Sequence, residues 1–289
     1  MFSPFPNAAH TDIIRSESLV NYTFGFIGTG NMGGAVAIAA AKQVAPEKIA
    51  LANRTPEKAQ TLAQRLGCAA CDNETVARNS RFIFLGVKPH VMSGLLNTLR
   101  PAIAERSDPP ILVSMAAGLT IDQIRTMAGR PCPVIRMMPN TPVAIGAGVI
   151  LYDSSEDVTE KDITEFSNGM KGAGRLWHLE ESLMDAGSAV AGCGPAFAYL
   201  FIDAMADGGV ACGLSRKDAL DFAAQTVLGA AKMILNSHEH PDQLKNEVCS
   251  PGGSTIQGVR TLEQRAVRSA AMDAVIAAFE KTKDLGKDE

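Results

Sequence analysis

The stretch that most constrains this chain is Gly28-Thr29-Gly30-Asn31-Met32-Gly33, together with what lies on either side of it. Thr23-Phe24-Gly25-Phe26-Ile27 is short and apolar and reads as a buried strand. The Ala-rich stretch from Gly34 to Gln43 reads as a helix. A GxGxxG pattern alone is weak, and a glycine-rich corner between core elements would also produce it. Between a strand and a helix it has the setting of a dinucleotide-binding turn. The first glycine allows the tight turn, the second lets a pyrophosphate approach the backbone, and the third lets helix and strand pack closely. The N–H groups that open the helix then face the phosphates.

The next strand, Lys48 to Ala52, ends in Asn53-Arg54-Thr55. An NAD-binding fold usually places an acidic residue there to hold the ribose 2′-hydroxyl. Here a neutral Asn53 is followed by Arg54. A carboxylate would repel a 2′-phosphate, whereas a guanidinium pairs with it in a bidentate way. The expected cofactor is therefore NADPH, set against the alternative of a surface Arg54 that meets only water.

The alternation continues with strands at Arg81–Val87, Ile111–Ser114 and Val134–Met137 and helical patterns near Met92–Leu99 and Ile121–Met127. Ala147–Leu151 and Arg175–Leu179 read as closing strands around a helix at Glu160–Lys171. This is the order of a parallel, doubly wound α/β sheet of Rossmann type. Glycine- or proline-rich tails follow several strands, among them Val87-Lys88-Pro89 and Met138-Pro139-Asn140-Thr141-Pro142. Ligands of such sheets bind beyond the carboxyl ends of the strands, so these tails outline a cofactor cleft.

From Glu181 onward strand patterns disappear. Pro195 suits the first turn of a helix, and Ser215 with Asp218 resembles a capping box. Ala219, Ala223, Val227, Ala230 and Ile234 share one helical face. A last helix from about Thr255 carries two apolar stripes, Ile256-Val259-Leu262-Ala266-Ala270 and Val267-Ala271-Val275-Phe279, so it is expected to be buried on two sides. The second neighbour is expected to be another subunit. The expected organisation is an N-terminal extension at 1–22, a nucleotide-binding domain at 23–180, and an all-helical substrate-binding and dimerisation domain at 181–289.

Composition removes several alternatives. The formal net charge is -4, which gives nucleic-acid binding little support. No apolar run is read as reaching the ~20 residues that span a bilayer, and residues 1–22 lack the basic start and apolar centre of a signal peptide. The six cysteines fit reduced thiols in a cytoplasmic protein. Cys68-Ala-Ala-Cys71 has no second pair or histidine at ligand spacing, and His178, His238 and His240 form no constellation with carboxylates, so no metal is expected.

One break in the helical half stands out, Cys249-Ser250-Pro251-Gly252-Gly253-Ser254-Thr255. Taken with the glycine turn, Asn53-Arg54-Thr55, Val87-Lys88-Pro89, Met138–Pro142, Gly194-Pro195-Ala196-Phe197, Gln225–Met233 and His240-Pro241, all in one order, it makes the chain from about Thr23 to about Leu285 resemble the pyrroline-5-carboxylate reductases. The resemblance implies NADPH-dependent reduction of 1-pyrroline-5-carboxylate to L-proline. It also implies interlocked homodimers that often assemble further into rings, a decameric ring of dimers among them. The active site would then lie between one subunit's cofactor and the helical domains of the dimer. It implies that Asn73 helps hold the adenosine end of the cofactor and that Thr255 hydrogen-bonds the substrate's ring nitrogen. Where the family usually has Ser-Gly-Ser-Gly-Pro, this chain has Ala191-Gly192-Cys193-Gly194-Pro195 and so lacks two hydroxyls.

A cyclic imine is readily protonated in water, so its reduction needs positioning more than a strong acid. Gly192–Leu200 contains no Lys, whereas β-hydroxyacid dehydrogenases of related architecture place a catalytic Lys after a similar glycine turn. In the Ser250, Gly252, Gly253, Ser254 and Thr255 segment the glycines bare the backbone, and the helix that follows presents N–H groups suited to the substrate carboxylate. Thr255 reads either as a helix cap worth ~1 kcal/mol or as a substrate contact, and the resemblance favours the contact. Lys88 reads either as a contact to the cofactor's ribose or amide or as a solvated rim lysine. Two other functional readings stand beside the main one. They are a reductase of another small imine or keto acid on the same scaffold, and a non-catalytic NADPH-sensing protein.

Overall fold

The computed structural model describes residues 21–285, so most of the expected N-terminal extension lies outside the described residues. The chain alternates as β1 (Tyr22–Ile27), α1 (Asn31–Ala40), β2 (Ile49–Ala52), α2 (Pro56–Leu66), β3 (Ala69–Ala70), α3 (Asn73–Asn79), β4 (Ser80–Leu85), α4 (Pro89–Ala104), β5 (Ile111–Ser114), α5 (Ile121–Ala128) and β6 (Val134–Pro139). Then come β7 (Gly148–Ser154), α6 (Glu160–Met170) and β8 (Gly174–His178). The strands form one eight-stranded sheet in the order β3-β2-β1-β4-β5-β6-β7-β8. All neighbours run parallel except β6 and β7, which are antiparallel. The chain reverses there because the connection 140–147 is too short for the crossover of a dozen or more residues that a parallel pair requires.

Side chains of successive strand residues point to opposite faces, and the burial follows that alternation. Phe24, Phe26, Phe82 and Phe84 lie on one face with Phe166 of α6 and the small side chains of α1. Ile27, Ile83 and Leu85 lie on the other face, under α3, α4 and α5. Phe26 stacks on Phe84 at 4.4 Å, and Phe24 meets Phe82 edge-on at 5.3 Å. Burying one such ring stabilises by about 2 kcal/mol. The helices begin where side chains satisfy their first N–H groups. Thr120 with Gln123 and Thr159 with Asp162 form capping boxes on α5 and α6, and Asp72 accepts from Thr75 N–H at 2.7 Å on α3.

The helical half comprises α7 (Met184–Ala191), α8 (Gly194–Ala211), α9 (Arg216–Ser237), α10 (Pro241–Glu247), α11 (Ser254–Gln264) and α12 (Val267–Leu285). Pro195 sits in the first turn of α8, and Ser215 caps α9 by accepting from Asp218 N–H at 3.1 Å. Two expectations are corrected here. The single last helix is two, α11 and α12, broken where Ala266 takes a φ of 55°. Alanine carries no breaker signature, so the interruption leaves no trace in the sequence pattern. The run Glu181–Ala211 is also long and apolar enough, by length and composition, to cross a membrane, contrary to the expectation that none is. A turn at Gly192 and Cys193 interrupts it between α7 and α8, and little of it is buried in the single chain. A wide apolar surface covers this half, including Leu200 at 74 % exposure, Phe222 at 58 % and Met272 at 60 %. The buried cluster between α8 and α9 consists of Ala206, Ala219 and Ala223.

The two halves are joined by buried polar contacts. Arg136 of β6 is almost fully buried and reaches Asp185 in the first turn of α7 at 2.6 Å and Glu181 at 3.3 Å. The same Glu181 carboxylate accepts from Ile121 N–H at 2.7 Å, and Asp153 accepts from Glu181 N–H at 2.6 Å. Helix α12 packs back against α7.

Candidate active site

The strand order reverses between β1 and β4, and the tails of β1, β2, β4, β5 and β6 meet at one rim there. Gly28 has a φ of +94°, and a Cβ on it would lie 2.6 Å from the Gly86 carbonyl oxygen. A Cβ on Gly33 would lie 2.0 Å from the Gly28 carbonyl oxygen. Both positions are closed to any side chain because β1, α1 and the tail of β4 touch through backbone. Gly30 differs, since a Cβ there would meet nothing within 4 Å. Gly30 is the N-cap of α1, and the N–H groups of Asn31, Met32 and Gly33 that follow have no partner within the helix. Gly30 and Asn31 are exposed and Met32 is half-buried. The Thr29 hydroxyl is buried and has no hydrogen-bond partner among the described residues. An open glycine, unpaired N–H groups at a positive helix end and an orphaned hydroxyl fit a pyrophosphate.

Asn53 ties this turn to the tail of β2. Its Oδ1 accepts from Thr29 N–H at 3.1 Å and its Nδ2 donates to the Thr55 carbonyl at 3.1 Å. Arg54, held between these anchors, is exposed. Its side chain has no hydrogen bond or ion pair among the described residues, so its donors remain available for a phosphate at this edge. Asn73 opens α3 directly after β3, at the far side of the same edge. Asp72 beside it is held below the usual carboxylate range by hydrogen bonds from Thr75. On the other side of the switch point, Val87, Lys88 and Pro89 follow β4. Lys88 is exposed at the N-cap of α4, and Pro89 occupies the first helical turn.

The helical half approaches this rim through α7. The Asn140 side chain lies 6 % exposed at the end of β6. It donates from Nδ2 to the Ala191 carbonyl at 2.9 Å and accepts at Oδ1 from Val149 N–H at 2.9 Å. Ala191 is the last residue of α7, and the Gly192-Cys193-Gly194-Pro195 turn into α8 follows it. Helix α8 contains no lysine.

The Ser250–Thr255 segment links α10 to α11. Gly252 has a φ of +70°, and Gly253 N–H donates to the Ser250 carbonyl at 3.0 Å. Gly253 is the N-cap of α11 and the helix opens at Ser254, so Thr255 is its second residue and its hydroxyl does not cap the helix. All of these residues except Gly253 are exposed. No hydrogen bond among the described residues links the segment to the cofactor rim. Helix α10 is clipped to α12 by Asp242, which pairs with Lys245 on its own helix and with Arg268 on α12, each at 2.9 Å. The hydrogen bonds from Lys245 and then Arg268 pull the Asp242 carboxyl down to about 2.

Within one chain the structure therefore brings together Gly28–Gly33, Asn53, Arg54 and Val87–Pro89, with Asn73 at the outer edge, and leaves Ser250–Thr255 apart. Sequence reasoning did not single out Gly86, whose Cβ would lie 2.4 Å from the Gly28 carbonyl oxygen. A glycine closing an apolar strand beside the switch point was the available signal. Asn140 stands within the Met138–Pro142 motif, and nothing local in the sequence gives it a role of its own. Among the described residues no group of three or more His, Cys, Asp or Glu side chains could hold a metal ion.

Two family models match the chain. Residues 23–118 match one described as NADP oxidoreductase, coenzyme F420-dependent. Residues 181–285 match one described as pyrroline-5-carboxylate reductase dimerisation. The pyrroline-5-carboxylate reductase of Escherichia coli is 38 % identical over 266 residues, covering 91 % of this chain and 98 % of that protein. That of Pisum sativum is also 38 % identical, covering 92 % and 96 %. Among solved structures, the pyrroline carboxylate reductase of Plasmodium falciparum with NADP bound superposes with a TM-score of 0.83 at 32 % identity, covering 93 % of this chain and 99 % of that one.

Proposed function

Because this chain belongs to the pyrroline-5-carboxylate reductase family, we infer that it reduces 1-pyrroline-5-carboxylate to L-proline with NADPH, the last step of proline biosynthesis. The observation that carries the reading is the match over almost the whole chain, joined to a turn whose open Gly30 and unpaired Thr29 hydroxyl suit a pyrophosphate. NADPH, when bound, supplies a hydride from C4 of its nicotinamide to the imine carbon. The ring nitrogen carries a proton taken from water, so the double bond becomes a single C–N bond and no protein acid is consumed. The chain's own residues supply binding and orientation, worth several orders of magnitude in rate when the reacting atoms are held in contact.

In this reading Gly28, Thr29, Gly30, Asn31, Met32 and Gly33 seat the pyrophosphate, and Asn53 presents Arg54 to the 2′-phosphate. Asn73 lies beside the adenosine, and Val87, Lys88 and Pro89 line the path of the nicotinamide ribose. Ser250, Gly252, Gly253 and Ser254 offer backbone donors to the substrate carboxylate, and the Thr255 hydroxyl meets the ring nitrogen. The separation of this loop from the cofactor rim within one chain, and the uncovered apolar faces of α8, α9 and α12, support a homodimer in which a second copy's loop completes the site. The same pairing, rather than lipid, would cover Glu181–Ala211. Dimers would assemble further into a ring, a decamer by the family's habit. The free cysteines support a reducing, cytoplasmic setting, and the net charge of -4 gives no field for nucleic acid.

The test is NADPH absorbance followed with pyrroline-5-carboxylate at neutral pH, beside light scattering on a sizing column. Absence of oxidation by folded, oligomeric protein would overturn the assignment. A folded monomer that turns over would overturn the shared site alone.

A further inference from the structure

We propose that Asn140 is a positioning residue for hydride transfer, acting through the α7–α8 turn rather than by touching the reactants. The proposal rests on the functional reading above. Asn140 is buried, and both ends of its carboxamide are committed at 2.9 Å, one to Val149 N–H and the other to the Ala191 carbonyl. Its orientation is dictated by those partners. Val149 N–H can only donate, so the oxygen must face it, and the Ala191 carbonyl can only accept, so the nitrogen must face it. The backbone is held as well, with Asn140 N–H on the Val149 carbonyl at 3.2 Å and Val143 N–H on the Asn140 carbonyl at 3.1 Å. Four hydrogen bonds thus fix one residue at the tail of β6.

That tail lies beyond the switch point, on the side towards which a dinucleotide seated on Gly28–Gly33 extends its nicotinamide half. Ala191 ends α7 and leads directly into Gly192-Cys193-Gly194-Pro195. Arg136, on the same strand, holds the other end of α7 through Asp185. Helix α7 is therefore pinned at both ends to β6, and Asn140 is the pin next to the turn. Its carboxamide sets the spacing between the nicotinamide side of the rim and the start of the helical half, where the substrate must lie.

Asn140→Asp keeps the size but turns the donor into an oxygen facing the Ala191 carbonyl. At neutral pH it should lower kcat by about 10-fold to 100-fold, the scale of a misplacement of about 1 Å. NADPH affinity, measured by fluorescence, should stay within about 2-fold, because the phosphate seat is elsewhere. The deuterium isotope effect on kcat, with NADPH labelled at the transferred position, should rise as hydride transfer becomes slower than product release. A buried carboxyl regains a donor when protonated, so the deficit should narrow as pH falls. Asn140→Ser, which keeps a short donor, should show a smaller loss of kcat and carries the test if the aspartate variant does not fold. The assignment is overturned if kcat per folded dimer and the isotope effect match wild type, or if activity falls only in proportion to the folded fraction with an unchanged isotope effect. A wild type that does not oxidise NADPH with the imine removes the functional reading and this assignment with it. An active wild type with unaffected variants removes this assignment alone.

Discussion

Gly30 and Gly33 belong to one motif but should fail in opposite ways when each is changed to alanine. A Cβ on Gly33 would stand 2.0 Å from the Gly28 carbonyl oxygen, and separations under 3.0 Å are essentially never seen for a real Cβ atom. Helix α1 must then retreat by about 1 Å, and overpacking of this kind costs about 1–3 kcal/mol. The helix is closely engaged, with Ala35, Val36, Ala37, Ala39 and Ala40 all buried, so the upper end of that range applies. The same retreat carries the first N–H groups of α1 out of hydrogen-bond range of a phosphate, and each such charged bond is worth about 1.5–3 kcal/mol. NADPH affinity should fall by about 100-fold or more. Gly30→Ala meets nothing within 4 Å in the protein, at a φ of -71° that alanine accepts, so unfolding free energy should fall by no more than about 1 kcal/mol, the cost of a poorer N-cap. The new methyl would nonetheless point into the space assigned to the pyrophosphate and weaken NADPH by at least about 10-fold. Urea unfolding and a fluorescence titration of each variant read the two quantities separately. Equal destabilisation by both substitutions, or unchanged NADPH binding in Gly30→Ala, would refute the division of labour between the two glycines.

Arg54→Asp replaces the guanidinium proposed to hold the 2′-phosphate with a like charge and should weaken NADPH by about 10-fold to 100-fold, the lower end of charged contacts because the site is exposed, while NADH changes little; equal binding of NADPH before and after would remove Arg54 from the site. Thr255→Ala should lower kcat by about 10-fold or more with less than about 0.5 kcal/mol of stability lost, since Gly253 and not Thr255 occupies the cap; the reverse pattern in melting and turnover would restore the cap reading. The depressed Asp242 carboxyl implies a clip between α10 and α12 that is whole above the ordinary carboxylate range and is lost as pH falls through about 2. The melting temperature of Asp242→Asn should therefore lie below wild type near neutrality and converge on it at the acid end, and a gap independent of pH would contradict the pairing.

The strands were legible because β1, β4, β5 and β6 are apolar runs buried on both faces, and the glycine turn because its flanks read as strand and helix. Strand β3 is two alanines, a pattern too short to signal anything. Helix α2 was missed although Pro56 stands in its first turn and Gly67 ends it in the left-handed conformation, both recognisable signals. The reversal at β7 was implicit in the shortness of 140–147. The role of Asn140 was not legible, because its partner Ala191 is 51 residues away and nothing local marks the contact. The cofactor edge could be read because neighbouring residues along the chain build it. The Ser250–Thr255 loop is local in sequence but lies apart from the rim within one chain, so its bared backbone suggested an anion and only the resemblance said which one.

The alanine cluster of Ala206, Ala219 and Ala223 has a further consequence. Three buried methyl groups, with only Ile202 and Val210 packed against them, are a small core to set against the entropy of ordering two long helices, at about 1–2 kcal/mol per residue. In the proposed dimer the helical half is a structure that subunits hold in common, and its persistence becomes a matter of mass action. Dilution would act on that dimer as a denaturant does, lowering the melting temperature with each step and erasing turnover before the sheet itself gives way.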